Sequence, residues 1–73
     1  MATSEVLAEM VASVLSVPVA VGDQVAVGDT VMLLESMKME IPVLAEVDGT
    51  VAELRVVPGD VIQEGDVLAV LEH

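Results

Sequence analysis

Residues 43–46 read Val-Leu-Ala-Glu, and residues 6–9 read the same four letters 37 positions earlier in this chain of 73 residues. With that offset, residues 6–36 and 43–73 are identical at 12 of 31 positions without a gap. An internal repeat dictates architecture, and two copies are too few for a solenoid. The repeat therefore predicts one small domain, residues 1–73, built from two similar halves related by a pseudo-two-fold axis. Each half is expected to bury the apolar face of the other.

The composition predicts that both halves are made of strands. The chain has no cysteine and no Phe, Tyr or Trp, so its core must come from 17 valines together with Leu, Ile, Ala and Met. Valine is stiff at χ1 and packs well on pleated surfaces. The expected fold is all-β, and disulfides and zinc thiolate sites are excluded.

Gly-Asp pairs punctuate each half. Glycine supplies positive φ and the following aspartate can accept hydrogen bonds from nearby backbone N–H groups, so these pairs predict turns. Their spacing fits no calcium loop, and we assign them a structural role. The pairs are Gly22-Asp23, Gly28-Asp29, Gly59-Asp60 and Gly65-Asp66.

Residues 5–16 contain a conflict between local and repeat signals. Apolar residues recur there at helical spacing, with Ser4 available as an N-cap. The second copy of this segment follows Pro42 and contains Asp48-Gly49, a turn signal that no single helix would hold. Because both copies should fold alike, we predict strand–bend–strand for the first copy too.

Charge narrows the range of partners. Thirteen acids face only Lys38 and Arg55, for a net charge of -11. The negative charge argues against nucleic acids and anionic membranes as partners, because both bind to basic protein surfaces. No apolar run approaches the length of a spanning helix, and the N-terminus lacks the pattern of a signal peptide, so the expected compartment is the cytosol. The last three residues resemble the start of a vector-encoded histidine tag, so His73 is given no functional weight.

Lys38, the only lysine, lies in the stretch Glu35-Ser36-Met37-Lys38-Met39-Glu40, where one repeat ends and the next begins. Residues 37–42 join the halves, and we predict a β-hairpin with residues 36–39 at its tip. Pseudo-symmetry pairs this tip with the two chain ends, which are expected together at the opposite pole. Lys38 would then project alone from one end of the domain.

Lys38 could be a solvated turn residue, a catalytic residue or the attachment point of a carried group. A solvated turn lysine is the commonest fate, but residues 33–41 lack Gly, Asn, Asp and Pro, and two large apolar side chains flank the charge. A catalytic lysine needs desolvation or a cationic neighbour, whereas the neighbours here are acidic. A carrier lysine fits better, because a group on a long arm at a protruding tip moves between active sites as an intramolecular event.

The chain resembles the biotinyl/lipoyl attachment domain family over nearly its whole length. The stretch from Glu35 to Glu40 is similar to the biotin attachment signature, in which the modified lysine lies between two methionines. The resemblance implies a flattened β-barrel or sandwich of two four-stranded sheets, biotin joined to Lys38, and recognition of Met37 and Met39 by a biotin protein ligase. Glu35, Ser36 and Glu40 would flank the hairpin. The Gly-Asp turns match the family, as does Gly49 after the hairpin.

Two departures from the family pattern stand out. Ser36 occupies a position that is usually alanine, and residues 8–12 lack the proline and glycine of the family's Ala-Pro-x-x-Gly. The second departure bears on the local turn and leaves the lysine signature intact.

The resemblance implies a biotin carrier that moves carboxylate between biotin carboxylase and carboxyltransferase sites, as in acyl-CoA carboxylases, and that has no catalytic residues of its own. Lipoyl members usually have an acidic residue directly before the lysine and a small residue after it, which this chain lacks. A lipoyl carrier and an unmodified interaction module of the same fold remain alternatives.

Overall fold

A computed structural model describes residues 2–73, and every regular element within them is a β-strand. Every strand contains at least one valine, and the Gly-Asp turns lie at four of the connections between strands. In chain order the strands are β1 (Thr3–Leu7), β2 (Ala12–Ser16), β3 (Gln24–Val25), β4 (Thr30–Ser36), β5 (Met39–Leu44), β6 (Gly49–Leu54), β7 (Val61–Ile62) and β8 (Val67–Glu72).

The strands form two four-stranded sheets with orders β1-β8-β6-β3 and β5-β4-β2-β7. All pairings are antiparallel. A shift of 37 residues converts β1, β2, β3 and β4 into β5, β6, β7 and β8, so it maps one sheet order onto the other. The predicted all-β sandwich with pseudo-two-fold symmetry is confirmed.

The two sequence halves are interleaved, which the repeat alone did not reveal. Each sheet takes two strands from each half, so neither half forms a layer of its own. The symmetry extends to strand register: Val6 pairs with Ala69 as Val43 pairs with Met32, and both pairs adjoin an irregularity in register. Strand pairing between halves therefore completes both sheets.

The core consists of two clusters related by the same shift. One cluster lies around Met32, Leu34 and Leu68, and the other around Ala69, Leu71 and Val31. Six of the seven buried members of the first cluster have their 37-residue mates in the second, and the exception is Ala12, whose mate is Gly49. Each buried member of these clusters is at most 7% exposed, and partly buried residues such as Ile41 and Val6 pack against them.

The Gly-Asp turns fix the two sequence halves to each other. Each aspartate side chain accepts a hydrogen bond from the backbone N–H three residues earlier, as Asp23 does from Ala20 at 2.9 Å. The glycine N–H then crosses to the other half: Gly22 donates to the Val51 carbonyl, and Gly59 donates to the Val14 carbonyl. These contacts give the four pairs the structural role predicted for them.

Residues 5–16 follow the repeat and not their helical spacing. Strand β1 ends at Leu7, residues 8–11 form a loop with a bend at Met10, and β2 begins at Ala12. Ala12 is 5% exposed and belongs to the first core cluster, so the domain accommodates a methyl group where the family pattern has glycine. The predicted strand–bend–strand is present.

The two ends of the described chain are joined. Ala2 and His73 exchange backbone hydrogen bonds of 2.9 Å in both directions, and the Ser4 hydroxyl contacts His73 Nε2 at 2.7 Å. Leu71 is 1% exposed in the second core cluster, so this residue is part of the fold. Residues 2–73 contain no helix with the length and apolar character to cross a membrane.

Candidate functional site

The six residues from Glu35 to Glu40 form the tip of the β4–β5 hairpin. Glu35 pairs with Glu40 and Ser36 pairs with Met39, so the connecting loop consists of Met37 and Lys38 alone. Both loop residues have positive φ, 54° and 66°. This is the pattern of a two-residue type I′ turn, whose twist matches the flanking strands.

A type I′ turn normally carries Asn-Gly or a similar pair, because other residues are strained at positive φ. Met37 and Lys38 adopt this backbone conformation although neither is Asn, Asp or Gly. The conformational free energy of each residue is raised by about 1–2 kcal/mol. Backbone strain of this kind concentrates at functional sites, where the surrounding structure imposes it. The strained backbone therefore marks this turn as a candidate functional site.

Lys38 is exposed to solvent. Among residues 2–73 the ion pair found joins Arg55 to Glu53, at 3.3 Å, and no hydrogen bond reaches the Lys38 amine. A cleft runs between the edge strands β1 and β5, and Lys38 does not line it. The amine is presented to the solvent instead of being enclosed.

Met37 and Met39 flank this amine with apolar surface. Met37 is 88% exposed and Met39 is 58% exposed. Of the large hydrophobic residues described, Met37 is the most exposed. Neither side chain contributes to the core clusters. Apolar side chains left in water without a packing role indicate recognition, and flexible thioethers adapt to different partner pockets.

Glu35 and Glu40 lie directly opposite each other at the base of the turn, and both are exposed. Like charges in this arrangement destabilise a sheet. The symmetry-related pair at the other pole is Thr3 and Glu72, which carries one charge instead of two. The hairpin thus concentrates negative charge below a single positive amine.

Ser36 connects the hairpin to the loop between β1 and β2. Its hydroxyl donates a hydrogen bond of 3.2 Å to the Val11 carbonyl oxygen. Sequence reasoning placed Ser36 on the hairpin flank and missed Val11, which is 63% exposed. Val11 corresponds by the repeat to Asp48, whose carboxylate accepts a hydrogen bond from the Val27 N–H at 2.9 Å. A comparison of the two copies would have revealed this difference, because the first copy has the apolar Val11 where the second has Asp48.

The core clusters show where the hairpin lies in the domain. Leu34 and Ile41, near the tip, pack in the first cluster with Ala8 and Leu68. Val6 and Leu71, near the chain ends, pack in the second cluster. The joined ends and the lysine turn therefore belong to opposite ends of a domain measuring 36 × 19 × 17 Å.

Within the described chain, no group of three or more His, Cys, Asp and Glu side chains is arranged to hold a metal ion. The hairpin offers one amine, two thioethers and two carboxylates on an exposed turn. This arrangement suits covalent modification by another protein, and it lacks the paired acid and base of a hydrolytic or transfer site.

Comparisons with known proteins agree with this geometry. The family described as "Biotin-requiring enzyme", the biotin/lipoyl attachment family, matches residues 2–71. The chain belongs to this family, as its sequence predicted. Two relatives are the biotinylated protein TB7.3 homolog of Mycolicibacterium smegmatis and biotinylated protein TB7.3 of Mycobacterium tuberculosis, each 70% identical over 40 residues. The match covers 55% of this chain and 56% of each relative, so it spans about half of their length.

Solved structures with the same fold include segments of carboxylases. Urea carboxylase of Kluyveromyces lactis matches with a TM-score of 0.92 and 32% identity over 99% of this chain and 6% of that protein. A single-chain, multi-domain long-chain acyl-CoA carboxylase gives 0.88 and 28%, over 93% of this chain and 7% of its own. The lipoyl domain of the Azotobacter vinelandii 2-oxoglutarate dehydrogenase complex gives 0.75 and 28%, over 86% and 80%.

Proposed function

We propose that this chain is a biotin carrier. A biotin protein ligase joins the biotin carboxyl carbon to Lys38 Nζ as an amide, in a reaction that consumes ATP. The attached biotin then accepts carboxylate at a biotin carboxylase site and donates it at a carboxyltransferase site. The domain supplies position and reach, and the catalytic groups belong to the partners.

The observation that carries this proposal is the presentation of Lys38. The only lysine stands on a strained two-residue turn at one pole, exposed and without an ion pair among residues 2–73. A cofactor joined there swings on the lysine side chain from a rigid hairpin. Such tethering raises the effective concentration of the cofactor at both partner sites.

Three findings support biotin over lipoate. Met37 and Met39 flank the lysine on both sides, whereas lipoyl members usually have an acidic residue before it and a small residue after it. The two relatives are described as biotinylated proteins. The carboxylase segments also match this fold with higher TM-scores, 0.92 and 0.88, than the lipoyl domain at 0.75.

The ligase and the carboxylase components are therefore the partners that we propose, in the cytosol. The likeness to the long-chain acyl-CoA carboxylase supports an acyl-CoA as the acceptor, and the likeness to urea carboxylase supports urea. With a net charge of -11, the domain body would approach both partners through complementary basic surfaces. Met37 and Met39 would enter apolar pockets of the ligase.

Intact mass spectrometry after incubation with ligase, ATP and biotin tests the proposal. The chain should gain the mass of one biotin, and Lys38→Arg should gain none because the guanidinium is a poor nucleophile. Arg55→Lys is the matched control, since it adds an exposed lysine on the same domain.

Arg55→Lys should still gain one biotin, at Lys38. The double variant Lys38→Arg with Arg55→Lys, whose single lysine lies outside the hairpin, should gain none. Biotin on that double variant would contradict a role for the hairpin. The intact mass of the protein from its native host decides between carriers, because lipoate or no added group would overturn the assignment to biotin.

A further inference from the structure

We propose that Met37 and Met39 form an oxidation site, at which hydrogen peroxide converts the two thioethers to sulfoxides and thereby slows attachment of biotin to Lys38. The oxidation itself depends only on the exposure of the sulfur atoms. Its effect on attachment rests on the proposed function.

Composition directs peroxide to methionine. The chain has no cysteine, tryptophan or tyrosine, so the thioethers of its five methionines are the only sulfur groups available. An exposed cysteine thiolate would compete with the thioethers for peroxide. Here nothing in the sequence competes in that way.

Exposure then separates the methionines from one another. Met32 is 0% exposed in the first core cluster and Met10 is 37% exposed, whereas Met39 is 58% and Met37 is 88% exposed. Oxidation follows accessibility, so the expected order is Met37, Met39, Met10 and last Met32. The two methionine side chains most open to peroxide among the described residues are the two that flank Lys38.

The chemistry balances with peroxide as the co-reactant. A sulfur lone pair attacks one peroxide oxygen, the O–O bond breaks, and the departing hydroxide leaves as water after proton transfer. Sulfur is oxidised by two electrons and the peroxide is reduced by two. The Lys38 amine is unchanged, and methionine sulfoxide reductases reverse the step.

The sulfoxide changes the surface that a ligase must bind. Oxidation converts a flexible apolar side chain into a polar one and disrupts interfaces built on methionine. A sulfoxide oxygen buried in an apolar pocket without a hydrogen bond would weaken binding by about tenfold or more. Because Met37 and Met39 lie outside both core clusters, the fold itself should survive the change.

The experiment has a mapping step and an attachment step. The unmodified chain is treated with hydrogen peroxide and cleaved after glutamate, which releases residues 36–40 as one peptide and residues 10–35 as another. Oxygen should be found first on residues 36–40. Fragmentation of the peptide 10–35 separates Met10 from Met32, and Met32 should stay unoxidised. After removal of peroxide, ligase, ATP and biotin are added, and the attachment rate should fall by about tenfold.

Repair and substitution complete the test. Treatment with both methionine sulfoxide reductases should restore the rate. The Met37→Leu, Met39→Leu double variant should show the same rate before and after peroxide, whatever that rate is. Met10→Leu, which removes a methionine away from the lysine, should remain as sensitive to peroxide as the parent chain.

The outcomes distinguish this inference from the proposed function. If the untreated chain gains no biotin, the proposed function fails and the effect on attachment fails with it, while the mapping still decides whether the oxidation site exists. If the untreated chain gains biotin and the oxidised chain gains it equally fast, only this inference is overturned. Oxidation of Met10 or Met32 before the hairpin methionines would also overturn it.

Discussion

The Ser36 hydroxyl donates a hydrogen bond of 3.2 Å to the Val11 carbonyl oxygen, and this bond links the hairpin that carries Lys38 to the loop between β1 and β2. Because the bond is exposed, Ser36→Ala should lower the free energy of unfolding by only about 0.5 kcal/mol in a urea titration. Ser16→Ala, at an exposed serine of the neighbouring strand β2, is the control and should change it less. Equal losses in the two variants would show that the bond contributes nothing.

The positive φ of Lys38 predicts a gain in stability from glycine. Lys38→Gly removes the steric cost of φ 66°, whereas Lys38→Ala removes the same charge and keeps that cost. Urea unfolding should show Lys38→Gly to be more stable than Lys38→Ala by about 1 kcal/mol. Two variants of equal stability would mean that the turn is not strained. Both variants lose the amine, so attachment is sacrificed in each.

Gly49 and Gly59 require glycine for different reasons, which two alanine variants can separate. A methyl group at Gly49 would collide with the backbone carbonyl of Glu72, and Gly59→Ala would meet no atom within 4 Å but would be held at φ +98°. Gly49→Ala should cost about 3 kcal/mol or prevent folding, and Gly59→Ala about 1–2 kcal/mol. A smaller loss for Gly49→Ala than for Gly59→Ala in urea titrations would contradict the steric argument.

Leu71 lies at the end of β8 and yet belongs to the core. Leu71→Ala should lower the free energy of unfolding by about 3 kcal/mol, because it leaves a cavity in the second cluster. Leu34→Ala, the symmetry mate in the first cluster, should cost about the same. Leu15→Ala, at a residue 38% exposed, should cost less than about 1 kcal/mol and serves as the control. A loss at Leu71 no larger than at Leu15 would show that residues 71–73 are dispensable to the core.

Much of the fold could be predicted because the repeat acts as a built-in comparison. Asp48-Gly49 in the second copy corrected the helical appearance of residues 5–16 in the first. The Gly-Asp pairs marked four turns, since glycine and aspartate have a defined mechanism there. The lysine turn followed from the position of residues 36–39 at the junction of the copies.

Other features depend on pairing between distant residues, which the sequence pattern does not encode. The repeat predicted the symmetry but not the pairing of β1 with β8. The apolar pattern of a strand does not specify which other strand it pairs with. The strained turn went unnoticed because methionine and lysine rarely adopt positive φ. Val11 was missed because its proximity to Ser36 arises only when β2 lies beside β4.

The interleaving of the halves also bears on how the domain is made. Strand β1 has β8 as its only partner, and Leu68 of β8 fills the cluster beneath the hairpin. A nascent chain therefore holds β1 unpaired until β8 has emerged from the ribosome. A ligase that reads the folded turn would therefore act on domains in which β8 is in place and ignore those still without it.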